Sequence, residues 1–277
     1  MVALMALSGQ GKPNTFTIGF NEKDYDESEY ANMVAKKFNT NHNQVLLDPK
    51  VFLDDLRAGL DAMDSPSGDG INTYVVSKAI KKSGLIVALS GVGGDELFAG
   101  YPFFSQYLKL KKLAPFWNST GVLRRMMAPV LASGKSARAE RMRSILTAKE
   151  NSIAGFYPEF RRIIPKSHLS HLIKCEKGFD TSLELQLKEA VSSIDRFPYL
   201  SQVSIAEYMG YTQQTLLRDT DQMGMAVSLE IREPFFDHDL ISFILQIPDK
   251  WKLGNSPKKL LVESMGDLLP PGNCKQA

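Results

Sequence analysis

Five consecutive apolar residues, Leu85 to Leu89 (LIVAL), run directly into Ser90-Gly91-Val92-Gly93-Gly94-Asp95-Glu96, and this junction limits the fold more than any other stretch of the chain. A short apolar run bounded by turn residues predicts a strand buried on both faces, of the kind found inside parallel sheets. Three glycines in four positions let the backbone turn sharply and bring amide donors against an anion. The carboxylates of Asp95 and Glu96 then fall at the start of a helix, where the dipole favours them or a divalent cation can be held. On chemistry alone this is a polyphosphate and magnesium site. A plain strand-to-helix turn with acidic first-turn residues stays open beside that reading.

The text around the junction extends it into an architecture. Thr15 to Phe20 (TFTIGF) predicts a buried strand, Ser28 to Phe38 a helix, Asn43 to Leu47 a second strand, Val51 to Met63 a second helix, and Asn72 to Lys82 a third helix capped by Asn72. Alternating strands and helices predict an α/β fold: a parallel sheet with crossover helices, whose ligands sit at the carboxyl ends of the strands. From Tyr101 onward no strand is expected. Apolar positions recur at helical spacing over 103–114, 120–132, 152–163, 183–194, 201–217, 239–247 and 258–269, interrupted by prolines such as Pro129 and Pro158. Two parts are therefore expected, an α/β part over 1–102 and a helical part over 103–277, and a chain of 277 residues with 43% hydrophobic content can bury a core for both. Residues Met1 to Leu7 (MVALMAL) read as the tail of a helix whose beginning is absent.

Composition removes several classes. No stretch reaches the ~18 apolar residues that a membrane helix needs, so no membrane partner is expected. Cys175 and Cys274 lack paired spacing, which excludes a disulfide framework and a multi-cysteine zinc site and suggests the cytoplasm. There is no GxSxG elbow for a nucleophilic serine. His168 and His171, three apart, lack nearby carboxylate or thiol partners for a metal, and His42 and His238 give little. The charge is uneven: residues 103–174 hold 14 Lys or Arg against Glu140, Glu150 and Glu159, a net +11 within a chain of net +2. Solvated helical faces account for this most simply, with a polyanion-binding surface as the alternative.

The segment SGVGGDELFAGY (Ser90 to Tyr101) resembles the signature loop of the glutamine-dependent asparagine synthetase family. TFTIGF followed by DYDESEYANMVAKKF resembles that family's second strand and helix. LLRDTDQMGMAVSLEIREPFFDHDLI resembles its C-terminal signature, and SPKKLLVESMGDLLP the lysine-bearing helix after it, so four ordered matches span Thr15 to Pro270. The resemblance implies a core of the adenine nucleotide alpha-hydrolase (PP-loop) type followed by a mostly helical half. It also implies an ATP-dependent ligase that adenylates a carboxylate such as aspartate, releases pyrophosphate, and lets ammonia attack the acyl adenylate.

The same resemblance assigns residues. Ile18 faces the adenine; Ser90 and Gly91, with Gly93 and Gly94 in the same turn, line the nucleotide; Asp95 binds Mg2+ with Glu96 nearby; and Lys258 neutralises phosphate charge. Ile18 as a core residue and Lys258 or Lys259 as solvated residues remain alternatives, and Asp26 and Glu27 are expected to cap the helix that follows the strand, with cation binding as the alternative. Asp221, Glu230 and Arg232 are expected to form an ion-pair network that shapes the pocket. The sequence departs from the family in three ways. The glutaminase domain that supplies ammonia has no counterpart, the strand and pyrophosphate loop expected before Val2 are missing, and Val92 stands where the family carries an acidic residue. The chain as it stands is therefore expected to be catalytically incompetent and of low intrinsic stability. A tRNA-modifying adenylating enzyme and a non-catalytic interaction module are the alternatives, although RNA is not the expected partner.

Overall fold

The computed structural model describes residues 1–9, 11–19, 26, 28–46, 49–117, 119–131, 136–165, 168–169, 172, 180–254 and 256–270. It is a mostly helical α/β structure with small parallel sheets, and packing divides it into two compact units. One comprises Met1–Gly94, Thr212–Ile241 and Asn255–Ala277; the other comprises Asp95–Tyr211 and Ser242–Gly254.

In the first unit, β1 (Asn14–Gly19) pairs in parallel with β2 (Asn41–Leu46), in register from Asn14 opposite Asn41 to Gly19 opposite Leu46. A parallel pair needs a crossover, and the Ser28–Lys37 helix supplies it. That helix is entered through Asp26, whose Oδ1 accepts from the Ser28 amide at 3.2 Å and from its hydroxyl, so the capping reading of Asp26 holds. Glu27, Phe20, Leu47, His171, Cys175 and Cys274 lie outside the described residues. The third helix spans Gly70–Lys82 rather than starting at Asn72; Asp69 holds its N-cap position. Ile71, Tyr74 and Val75 on this helix bury against Met223, forming the unit's small core with Phe52, Leu56 and Met63 packed around it.

The apolar run becomes β3 (Val87–Leu89), and it differs from expectation in two respects. It pairs in parallel with β4 (Glu230–Arg232), a strand in the half of the chain where none was expected. Glu-Ile-Arg is too short and too polar for a periodic signal, and only the ladder bonds, extended by Ser90 N donating to Arg232 O at 2.8 Å, reveal it. Nor is β3 buried on both faces: Val87 and Leu89 are exposed on one, and Ala88 is only half-buried on the other. Residues of β1 and β3 line one cavity of about 650 Å³, so space stands where packed side chains would cover a central strand. The Val2–Leu7 helix also lines it through Val2 and Met5, leaving Leu4 and Leu7 exposed.

The second unit is helical, with Phe104, Tyr107, Phe156, Tyr157, Leu187 and Leu200 fully or almost fully buried in its core. Its helices start where side chains can accept from orphan amides. Ser136 accepts from Ala139 N, Ser152 from Gly155 N, and Thr181 with Glu184 forms a reciprocal capping box for the Ser182–Ile194 helix. Two expected breaks do not occur: Pro129 lies inside the Gly121–Leu131 helix and Pro158 inside Ile153–Arg161. The helix expected over 201–217 is α-helical only over Tyr199–Glu207 and continues as a π-helix over Tyr208–Leu217.

Candidate functional site

The turn after β3 is built from its glycines. Gly93 has φ +94°, in the left-handed region, and a Cβ there would meet Phe236 at 2.8 Å and Phe235 at 3.1 Å. A Cβ on Gly94 would meet Phe235 at 3.4 Å. The two rings of the Pro234–Phe236 turn therefore fit a backbone stripped of side chains and fix its course. Val92 N donates to Ser90 Oγ at 3.2 Å, and Gly94 N to Gly91 O at 3.3 Å, closing the turn on itself. Ser90 and Val92 line the 650 Å³ cavity with Asn14, Thr15 and Phe16 of β1 and with Ile231 of β4. Its lining is chiefly apolar, with Ser90, Thr15 and Asn72 among its polar groups.

The remaining residues expected at the site are distributed differently. Ile18 is half-buried in β1, near the end opposite to the β1 residues that line the cavity, and does not itself line it. Lys258 has φ +52° and precedes the Lys259–Met265 helix, while Lys259 pairs with Glu263 at 3.8 Å, as a solvated helix residue does. In the second unit, the Asp95 carboxylate folds back over Gly100, where any Cβ would collide with it, and Gly100 N donates to Asp95 O at 2.8 Å. Glu96 is not available as a second cation ligand. It is 2% exposed, its carboxylate accepts from Tyr101 OH at 2.6 Å, and its carbonyl accepts from Ser204 Oγ at 2.7 Å. Burial first, then the Glu96 carboxylate, push the Tyr101 phenol well above its ordinary range, so it stays a donor. No cluster of three or more metal-ligating side chains occurs among the described residues.

The network expected around Asp221, Glu230 and Arg232 is only partly formed. Arg232 pairs with Glu230 at 2.7 Å in an exposed position, and Asp221 lines a 290 Å³ cavity with Glu230 and Glu233. The buried carboxylate is Asp219, which accepts from the Ser67 hydroxyl and from Gln222 Nε2 at 3.0 Å, while Gln222 Oε1 accepts from Asp64 N at 3.0 Å. Sequence reading passed over Asp219 for Asp221, although a helix with a buried face selects only one of two carboxylates two apart. It also missed Phe235 and Phe236, and the ion pair of Arg161 with Glu207. Glu207 is fully buried and accepts from Arg161 Nε at 2.9 Å, while the guanidinium lies 3.9 Å from the Tyr211 ring centre and 4.6 Å from that of Tyr101. Burial raises the Glu207 carboxyl pKa, and Arg161 opposes that shift. His168 does have a carboxylate neighbour, with Nε2 3.8 Å from Glu140.

Residues 1–275 match the family model described as asparagine synthase. Asparagine synthetase [glutamine-hydrolyzing] 1 of Bacillus subtilis is 28% identical over 263 residues, which cover 93% of this chain and 40% of that protein. A putative asparagine synthetase [glutamine-hydrolyzing] 2 of Methanocaldococcus jannaschii is 40% identical over 92 residues, 32% of this chain and 18% of the other. Amidase chyE of Penicillium rubens is 24% identical over 270 residues, 88% of this chain and 38% of the other. The chain thus spans about two fifths of the length of the curated relatives it matches along most of its own length.

Proposed function

Since this chain belongs to the asparagine synthase family, we propose that it is the nucleotide-binding and carboxylate-activating part of an ATP-dependent amide-forming ligase, with residues 1–102 as a PP-loop type nucleotide part and 103–277 completing the domain. The observation that carries the reading is the glycine turn at the carboxyl end of β3, whose course is fixed by its packing against Phe235 and Phe236 and whose Ser90 lines the 650 Å³ cavity. In parallel α/β folds that end of a strand is where ligands bind.

The reaction it would serve has two displacements. A carboxylate oxygen of aspartate or a related acid attacks the α-phosphorus of ATP, and pyrophosphate leaves. Ammonia, delivered by a glutaminase domain or subunit, then attacks the acyl carbon; AMP leaves with the bonding pair, and the amide nitrogen loses a proton. Ser90, Gly91, Gly93 and Gly94 hold the nucleotide and orient its α-phosphate, with Ile18 against the adenine. Asp95 would be the carboxylate to hold Mg2+, whose charge would offset that of the pyrophosphate; Glu96, committed to Tyr101, would not. Lys258 places a compact cation against the phosphates. Val92 offers no proton acceptor to the incoming ammonia, a loss worth ~10²- to 10⁴-fold in a general-base step.

Because Val92 offers no proton acceptor, slow turnover is expected and nucleotide binding is the primary readout. Calorimetry with ATP and Mg2+ should show saturable binding that Gly93→Ala removes, because a Cβ at that position collides with Phe236. Any carboxylate-dependent pyrophosphate release should be greater in Val92→Glu. Absence of ATP binding, or binding unchanged by Gly93→Ala, overturns the assignment.

A further inference from the structure

The basic segment remains unaccounted for by this reading, and the structure shows what surrounds its cations. The Gly121–Leu131 helix is turned inside out relative to an ordinary surface helix. Ala128 is fully buried, and the half-buried Arg124 has its guanidinium 3.7 Å from the Trp117 ring centre and donates to Leu146 O at 2.6 Å and Trp117 O at 2.8 Å. Those contacts fix the helix rotation. Val122, Leu123, Met126, Met127 and Val130, spaced to share one helix face, are left outside; Val122, Met126 and Val130 are each at least 73% exposed. Phe116 and Leu113, just before the helix, are exposed as well. Exposed cations accompany it in the chain: Lys109 and Lys112 before the helix, Arg125 on it, and Arg138 and Arg141, beside Glu140, on the Ala137–Thr147 helix that packs against it.

We propose that this face is an interfacial docking surface for an anionic lipid bilayer, with the aliphatic side chains entering the headgroup boundary and the surrounding Lys and Arg meeting lipid phosphates. A contiguous exposed apolar face of this kind marks an interaction site. The charge decides among occupants. A second copy docked face to face would oppose cation to cation. A nucleic acid would be met by stacking rings, whereas the exposed face of this helix is Val, Leu and Met, with Phe116 before it as its one exposed ring among the described residues. Aliphatic residues on one helix face with Lys and Arg around them are the pattern that lies in a membrane surface. No helix among the described residues is long and apolar enough to cross a membrane, which leaves peripheral association as the mode.

The test is flotation of the full chain with vesicles of phosphatidylglycerol and phosphatidylcholine in equal parts, and with phosphatidylcholine alone. Binding to the anionic vesicles is expected, with much less to the neutral ones. The triple variant Val122→Ser/Met126→Gln/Val130→Ser, folded by circular dichroism, should bind the anionic vesicles ~10-fold or more weakly. Arg125→Glu/Arg138→Glu should lose the preference for anionic over neutral lipid. No binding to either vesicle, or binding that the triple variant leaves unchanged, overturns the proposal. So does a dimer that the triple variant dissociates, seen by light scattering without lipid, or tighter binding to single-stranded RNA than to vesicles.

Discussion

Lys252 provides the sharpest check on the packing of the helical unit. Its side chain is 2% exposed, at the end of the short Asp249–Lys252 helix, and Nζ donates to Ser201 Oγ at 2.6 Å. Burial lowers its pKa from 10.5 to about 8, against an opposing pull from Asp249, which accepts from the first amides of the Tyr199–Glu207 helix. At 1.36 kcal/mol per unit, carrying this ammonium into the folded state costs about 3 kcal/mol. The unfolded chain binds the extra proton between pH 8 and 10.5, so the penalty is complete below pH 8 and fades as pH rises through that window. Lys252→Met removes the charge at similar volume and forfeits one hydrogen bond, worth ~1 kcal/mol; Ser201 Oγ keeps its own bond to Leu245 O. The variant should therefore be about 2 kcal/mol more stable than wild type at pH 7, an upward shift of ~1 M in urea midpoint at a slope near ~2 kcal/mol/M. The difference should vanish between about pH 9 and 10 and reverse to ~1 kcal/mol in favour of wild type above pH 10.5. Titration of the buried tyrosines cancels, because both proteins carry them. Trp117 and Trp251 both lie in this unit and are the chain's only tryptophans, so fluorescence-monitored urea unfolding from pH 6 to 10.5 reads it directly. A pH-independent difference, or a Lys252→Met protein less stable at pH 7, refutes the argument.

Two further outcomes follow from burial and pairing. Arg161→Leu strands the Glu207 carboxylate without its guanidinium, which should cost ~3–5 kcal/mol and lower Tm by roughly 10 °C, whereas Arg161→Leu/Glu207→Leu should regain most of the loss; thermal melts of the three proteins check this. Amide hydrogen exchange should be slower by at least ~10-fold in the Ile153–Arg161 and Tyr199–Glu207 helices, which are rich in fully buried side chains, than in β1 and β2, whose residues are largely exposed or half-exposed; equal protection would contradict the burial pattern.

What could be read in the sequence depended on how locally each feature is determined. The β1–helix–β2 crossover, the glycine turn and most helices of the second half were legible because their signals repeat within a few residues: apolar spacing, turn clusters, Ser or Thr before a helix. Glu230-Ile231-Arg232 could not be read as a strand, because its stability comes from ladder bonds to residues about 140 positions earlier. The double-sided burial expected of Leu85–Leu89 failed for the same reason, since burial of a parallel strand depends on neighbours that the strand's own composition does not specify. At the candidate site, the glycines were legible as freedom to turn, but the rings that use that freedom, Phe235 and Phe236, follow some 140 residues later. Asp95 and Glu96 were indistinguishable as text, and only tertiary partners separate them: Tyr101 and Ser204 commit Glu96 to structure, and Gly100 makes room for the Asp95 carboxylate. The +11 segment was legible as charge but not as surface, because Arg124, anchored on Trp117 and Leu146, determines which face of its helix meets solvent. Replacing that one anchor, by Arg124→Ala, should let the helix rotate its valines and methionines inward, which makes the exposed apolar face a property of a single half-buried cation stacked on Trp117.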